Sequence, residues 1–310
     1  MGAQSGTLLW RNQLRNEDTF TVLTNNTCNL ACDMCYLGEN IKPEILSTSN
    51  MFRIVEEINN NPIISTLGIV GKEPYVNKKS TDLTNYTITH LRENGLKSSV
   101  ITNGSKLNTL IPGLSLPDYM DISLDGGPKT YGIQRKTLSG KQGDYDEVMK
   151  GVEKVLDSHF RTEVSFLNTI YSGDTGNFSE YAIADMMIPI LKYQSHEKFH
   201  TAIFSPMMET KRGSEFSVDE PNLCDFLELL SQNQDFMDSD KTKIQLSSEN
   251  FENSDERKKV SNKIEELDLL EKLIYISEKE LKAGTRINHT GQRFDLIDGV
   301  HIENWNIEVK

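Results

Sequence analysis

Six short β-type runs, at 19–24, 65–71, 98–103, 119–125, 161–170 and 199–205, follow one another along the first two thirds of the chain. Helix-type amphipathic stretches lie among them near 47–60, 81–94, 144–159 and 178–192. A further one runs from about 218 to 233, with Leu223, Phe226, Leu227 and Leu230 on one face. Ser47 and Asp144 stand where helix N-caps are needed. This alternation implies an α/β fold with a parallel sheet and helices outside it. Six strands are two short of a closed eight-stranded barrel. A partial (β/α)6 TIM-like barrel is therefore expected over residues 17–240, after a lead-in at 1–16. In such barrels the chemistry gathers at the C-terminal ends of the strands.

Beyond about 240 the pattern changes. A polar helical stretch leads to Lys272-Leu-Ile-Tyr-Ile276, Thr285-Arg-Ile-Asn288, Arg293-Phe-Asp-Leu-Ile297 and Val300-His-Ile302. Asp298-Gly299 between two apolar runs is a hairpin signal. Residues 241–310 read as a small C-terminal α+β extension, and they contain no Cys.

Three of the four cysteines cluster directly after the first β-type run, as Cys28-Asn-Leu-Ala-Cys32-Asp-Met-Cys35-Tyr36. A structural zinc site closes its sphere with four ligands. Three thiolates on one loop suit instead a four-iron cluster that keeps one iron open to a non-protein ligand. Clustered thiols in a chain with so few cysteines point to metal or redox use rather than to a disulfide framework, and the cytoplasm is the expected compartment. The N-terminal residues lack the basic region and long apolar stretch of a signal peptide, so none is expected. No apolar run approaches the roughly 20 residues of a membrane span. Acidic residues number 46 against 33 basic ones, a formal net charge of -13. Such a chain repels a phosphate backbone, so neither nucleic acid nor membrane is an expected partner.

The cysteine loop, with an aromatic residue after its last Cys, resembles that of the radical S-adenosylmethionine (radical SAM) enzymes. It is most similar to the branch of sulfatase-maturing and peptide-modifying enzymes, and the resemblance runs over roughly 17–206. It implies one [4Fe-4S] cluster held by Cys28, Cys32 and Cys35, and S-adenosylmethionine bound through its amino and carboxylate groups. The expected chemistry is reductive cleavage to a 5′-deoxyadenosyl radical, which takes hydrogen from a carbon of a small biosynthetic metabolite or a peptide. Epimerisation, rearrangement and bond formation all fit. An electron donor such as flavodoxin or ferredoxin is implied. That branch usually carries a cysteine-rich C-terminal extension with auxiliary clusters; the absence of Cys after 240 departs from it and argues for a single cluster.

Further residues follow the resemblance in order. The second run ends Gly71-Lys72-Glu73-Pro74, where the family has Gly-Gly-Glu-Pro. Glycine permits close approach to a ligand, and Glu73 offers a carboxylate to an ammonium group. Lys72 stands at the second Gly and aims an extra cation toward the substrate. Asn103 ends the third run, where the resemblance implies a contact with the cofactor. Alternation places Ser123 and Asp125 on one face of the fourth, as a hydroxyl and a carboxylate for the cofactor. Arg135 resembles a family arginine that pairs with the methionyl carboxylate. Asn168, Ser205 and Pro206 lie where the family contacts adenosine, and Tyr36, the aromatic residue after the last cysteine, is a further cofactor-binding candidate that the resemblance implies.

Two other motifs compete. His196-Glu197-Lys198-Phe199-His200 satisfies the H-E-x-x-H pattern of zinc hydrolases. The preceding helix is expected to end near Tyr193 and Phe199–Phe204 reads as a strand, which sets the two histidines about 13 Å apart. Cys224 is either a small apolar residue on the helix near 218–233 or a hydrogen-atom donor to a substrate radical. A catalytically inactive, binding-only relative is the remaining alternative; retention of Cys28, Cys32, Cys35, Glu73, Ser123 and Asp125 argues against it.

Overall fold

The computed structural model describes residues 9–12, 17–32, 34–35, 45–60, 64–172, 176–207, 222–247, 254–276, 287–288 and 306–307. Strands β1 (Leu9–Asn12) to β9 form one sheet in sequence order: β2 (Glu17–Leu23), β3 (Thr66–Val70), β4 (Lys97–Thr102), β5 (Tyr119–Ser123), β6 (Glu163–Ile170), β7 (Phe199–Pro206), β8 (Thr242–Ser247) and β9 (Leu273–Ile276). Only β1 runs antiparallel to its neighbour, and β2 to β9 are mutually parallel. Among the described residues β9 does not pair back to the opposite edge, so the barrel is open.

The α/β partial barrel expected from the sequence is the fold observed. It carries two parallel strands more than the six expected. The segment from 241 supplies them: β8 and β9 flank α9 (Ser254–Glu266) and lengthen the same sheet. In the N-terminal lead-in, β1 adds the antiparallel edge. The Asp298-Gly299 turn lies outside the described residues. A two-stranded pair, β10 (Ile287–Asn288) with β11 (Asn306–Ile307), stands apart from the main sheet.

The helices follow the expected stretches: α1 (Thr48–Asn59), α2 (Lys78–Glu93), α5 (Tyr145–Leu156), α6 (Glu180–Tyr193) and α7 (Leu223–Ser231), with short α3 (Leu107–Leu110), α4 (Tyr131–Gln134) and α8 (Gln234–Asp238). Ser47 caps α1 by accepting from the Asn50 N–H at 3.2 Å, and Asp144 caps α5 by accepting from Glu147 at 3.1 Å. Each bond satisfies a helix N–H that has no intrahelical acceptor.

Alternation along the strands separates two faces. Met120, Ile122, Val164, Phe166, Ala202 and Phe204 pack with α5, α6 and α7 residues in the main core. The opposite, concave face carries Asp121, Ser123, Leu167, Thr169 and Ser205, all only half-buried. This accessible face and the strand ends above it are what the fold presents to a ligand. No described helix is long and apolar enough to cross a membrane.

Candidate active site

The cysteine loop is drawn across the C-terminal ends of the strands by backbone bonds on both sides. After β2, Thr24 N–H donates to the Val70 carbonyl at 2.7 Å, Lys72 N–H to Asn25 at 3.2 Å, and Glu73 N–H to Thr27 at 3.0 Å. The buried Asn25 amide locks this seam. Its Nδ2 donates to the Glu73 carbonyl at 3.1 Å and to Ser80 Oγ at 2.9 Å, and its Oδ1 accepts from Thr27 N–H at 3.1 Å. Farther on, Ala31 N–H donates to the Lys136 carbonyl at 2.7 Å, and Leu30 bridges Thr137 in antiparallel fashion. Met34 and Cys32 pack against Tyr171 and Met207, which follow β6 and β7.

Gly71 belongs to the seam. A Cβ there would lie 2.9 Å from Asn25 Nδ2 and 3.1 Å from the Asn25 carbonyl oxygen. The close approach that sequence reasoning assigned to a ligand is made by the protein's own chain. Lys72 is half-buried beside it, tied through its backbone to Asn25.

Cys28, Cys32 and Cys35 are half-buried and form no disulfide. Burial, reinforced by the Glu73 carboxylate and the other two thiols, pushes the Cys28 thiol up to about 12. Burial also raises Cys32, against the pull of Arg135. Cys28 and Cys32 thus resist becoming free thiolates, and a bound metal centre removes that cost by replacing the protons. Among the described residues, no three of His, Cys, Asp and Glu gather closely enough to hold a single metal ion. A cluster ligated at three corners needs its thiolates farther apart than a single ion does. The donor set of this loop therefore fits a three-cysteine iron–sulfur cluster.

Glu73 is fully buried. Its Oε1 accepts from Tyr75 N–H at 3.0 Å and Thr102 Oγ1 at 2.8 Å, and its Oε2 from Asn103 N–H at 2.8 Å. Burial raises its pKa while these donors and Arg135 act to lower it. The carboxylate is thus aimed and partly engaged before any ligand arrives.

Asp125 does not extend the β5 alternation. The strand ends at Ser123, and Asp125 has φ 56°, in the left-handed region that Asp tolerates better than most residues. Ser123 keeps its place on the concave face, but Asp125 turns away to accept from Thr169 N–H at 2.7 Å and to pair with the Arg135 guanidinium. The sequence reading gave these two charges separate tasks toward the cofactor; here they bind each other. Burial works to lower the Arg135 pKa, yet the Asp125 carboxylate and the neighbouring Cys32 hold it above its ordinary value. Arg135 Nε is buried and makes no hydrogen bond. That orphaned donor next to the cysteine loop suits a ligand carboxylate.

The remaining candidates divide. Ser205 shares the concave side of β7 with Ile203, whereas Pro206 falls on the side of Ala202 and Phe204. Asn168 lies on the same side of β6 as Phe166 and Ile170; it is buried, and its Nδ2 lacks a partner. Cys224 packs against the main core from α7, whose helix contacts are with α8 and α9. The structure does not bring it to the cysteine loop. Tyr36 lies outside the described residues. In the H-E-x-x-H stretch, α6 ends at Tyr193 and His200 sits in β7. His196 Nδ1 accepts from Lys198 N–H at 3.2 Å, and His200 faces Glu163 at 3.7 Å. No helix puts these histidines on one face, so the zincin geometry is absent.

Several residues of the site escaped sequence reasoning. Asn25, Asn29, Ser105, Gln134 and Asn177 are ordinary polar residues whose roles arise only when distant segments meet. Asn177 Nδ2 ties the Asp125 and Thr169 carbonyls at 3.0 and 2.8 Å, and Tyr171 OH donates to Gln134. Asp185, buried in α6, accepts from Lys129 and Thr130 and so fixes the Gly126-Gly127 turn. The one available signal was Asn25-Asn26-Thr27, a polar run directly between a strand and a cysteine.

The model described as the Radical SAM superfamily matches residues 22–181, just over half of the chain. No curated protein matches it. Among solved structures, native anSMEcpe with bound AdoMet is 18% identical with a TM-score of 0.50, covering 70% of this chain and 59% of its own. SuiB of Streptococcus suis bound to S-adenosylmethionine is 14% identical with a TM-score of 0.51, covering 83% and 49%. HydG, a maturase of the [FeFe]-hydrogenase, is 15% identical with a TM-score of 0.54, covering 83% and 55%. At these identities the likeness is one of fold, and the chain spans about half to three fifths of the length of these structures.

Proposed function

The chain belongs to the radical SAM superfamily, and from that premise we propose that it is an enzyme that abstracts a hydrogen atom from a carbon of a peptide. Its cofactors are a [4Fe-4S] cluster and S-adenosylmethionine, which on one-electron reduction supply a 5′-deoxyadenosyl radical. The observation that carries the reading is the three-cysteine loop, pinned over the strand ends with the unpartnered Arg135 Nε beside it.

The chain's own residues do the holding. Cys28, Cys32 and Cys35 give up their protons to bind iron. Glu73, oriented by Thr102 and Asn103, receives the cofactor's ammonium group. Arg135, steadied by Asp125, donates to its carboxylate, and Ser123 is offered to the cofactor from the concave face. Ser205, half-buried on that same face, is the residue we assign to adenosine.

A peptide rather than a small metabolite is favoured by two observations. The barrel is open among the described residues, and the strand face opposite the helices carries half-buried Asp121, Leu167, Thr169 and Ser205, along which an extended substrate can lie. SuiB, a relative in fold, has been seen bound to its precursor peptide SuiA. Lys72 is the cation we place toward that substrate. We further propose that the enzyme works in the cytoplasm with a flavodoxin or ferredoxin as electron donor and a single cluster. The test is anaerobic turnover with peptides deuterated at carbon. Deuterium should appear in 5′-deoxyadenosine; transfer only from small metabolites, and from no peptide, would overturn the substrate class.

A further inference from the structure

We propose that Asn103 is a positioning residue for the iron–sulfur centre, whose side-chain amide donates to the Cys28 sulfur and raises the reduction potential of the cluster. The inference rests on the cluster reading above. It moves the Asn103 side chain from the S-adenosylmethionine pocket to the metal.

The geometry assigns the amide fully. Asn103 is 4% exposed. Its Nδ2 lies 3.5 Å from Cys28 Sγ and 3.2 Å from Asn29 Oδ1. Its Oδ1 accepts from Ser105 N–H at 3.0 Å and Ser105 Oγ at 2.6 Å. Asn29 Nδ2 in turn donates to Ser105 Oγ at 2.8 Å. With Ser105 donating to Oδ1, the oxygen end is fixed, so the NH2 end must face the sulfur. The neighbouring Leu30 N–H also donates to Cys28 Sγ, at 3.3 Å. Two N–H donors thus converge on one sulfur.

Their effect has a definite sign. Reduction adds an electron to the cluster and increases the negative charge on its sulfur ligands. A donor aimed at a ligand sulfur stabilises the reduced state more than the oxidised one and raises the potential. Leu30 contributes through its backbone and cannot be removed by side-chain substitution; Asn103 can. The Asn103 backbone N–H also holds Glu73. One residue therefore joins the acid proposed for the cofactor amine to a ligand of the metal, and its backbone contact survives any change of side chain.

The test is redox titration of the reconstituted protein, followed by electron paramagnetic resonance. Asn103→Ala removes the donor without adding charge. Asn103→Asp keeps an acceptor for Ser105 and so preserves the loop should the Ala variant fold poorly. Both should bind iron as the wild type does, yet at a fixed solution potential near the midpoint the reduced-to-oxidised ratio should fall about tenfold, or about 59 mV for one electron. In protein labelled with [15N]asparagine, pulsed resonance should detect a nitrogen coupling that Asn103→Asp abolishes. Wild-type potentials in both variants, with the coupling unchanged, would overturn the proposal while leaving the cluster reading intact. A wild type that forms no four-iron cluster would overturn both.

Discussion

Arg135 and Asp125 form a buried ion pair beside Cys32, with the Asp125 side chain 1% and the Arg135 side chain 12% exposed. A charge in that position is tolerable only while its partner remains. Asp125→Asn keeps an acceptor for Thr169 N–H and a residue type that accepts the left-handed backbone, so it isolates the loss of the charge. We expect it to lower stability by about 3–5 kcal/mol, read as a shift of the denaturant midpoint. Adding Arg135→Gln should restore part of that loss. A single variant that unfolds like the wild type would show that the pair is not closed in solution.

Gly71 should tolerate no side chain. Gly71→Ala places a methyl group against the Asn25 amide and carbonyl, the centre of the seam that carries the cysteine loop. We expect a cost of about 1–3 kcal/mol and a fall in iron bound per chain after reconstitution. Normal iron content with normal stability would mean that the loop is not positioned through this contact.

The order of strands and helices was legible because the core repeats at their own periods. Val164, Phe166 and Ile170 alternate in β6, and Val148, Val152 and Val155 recur in α5. Strand β8 was missed although Ile244 and Leu246 alternate there with Lys243 and Gln245; short, lysine-bearing and next to a very polar helix, it was merged into that helix. Asp125 was misplaced because period-two reasoning ran past Ser123, where the strand ends. The cysteine loop was legible from spacing alone. Its supports were not, since Asn25, Asn103 and Asn177 are turn-type residues until their partners, many residues away, are brought beside them. The H-E-x-x-H spacing was an accident of a helix end followed by a strand.

His196→Ala and Glu197→Gln should leave iron content and cleavage of S-adenosylmethionine unchanged, because neither residue touches the cysteine loop. Metal analysis of protein purified without added metal is the check. Stoichiometric zinc that disappears on His196→Ala would revive the hydrolase alternative.

Cys224→Ala should still give product. Its sulfur sits against the apolar core from α7, and its loss should cost only about 1 kcal/mol of stability. Product analysis in deuterated water separates the two roles. Loss of a solvent-derived deuterium from product carbon in the variant alone would make Cys224 the hydrogen donor.

The central claim is tested most directly by anaerobic incubation of the reconstituted protein with S-adenosylmethionine and a one-electron reductant. The wild type should carry about four iron and four sulfide per chain and release 5′-deoxyadenosine. The variant with Cys28, Cys32 and Cys35 all replaced by Ala should do neither. Iron retained by the triple variant, or cleavage that persists in it, would contradict the assignment of this loop as the seat of the chemistry.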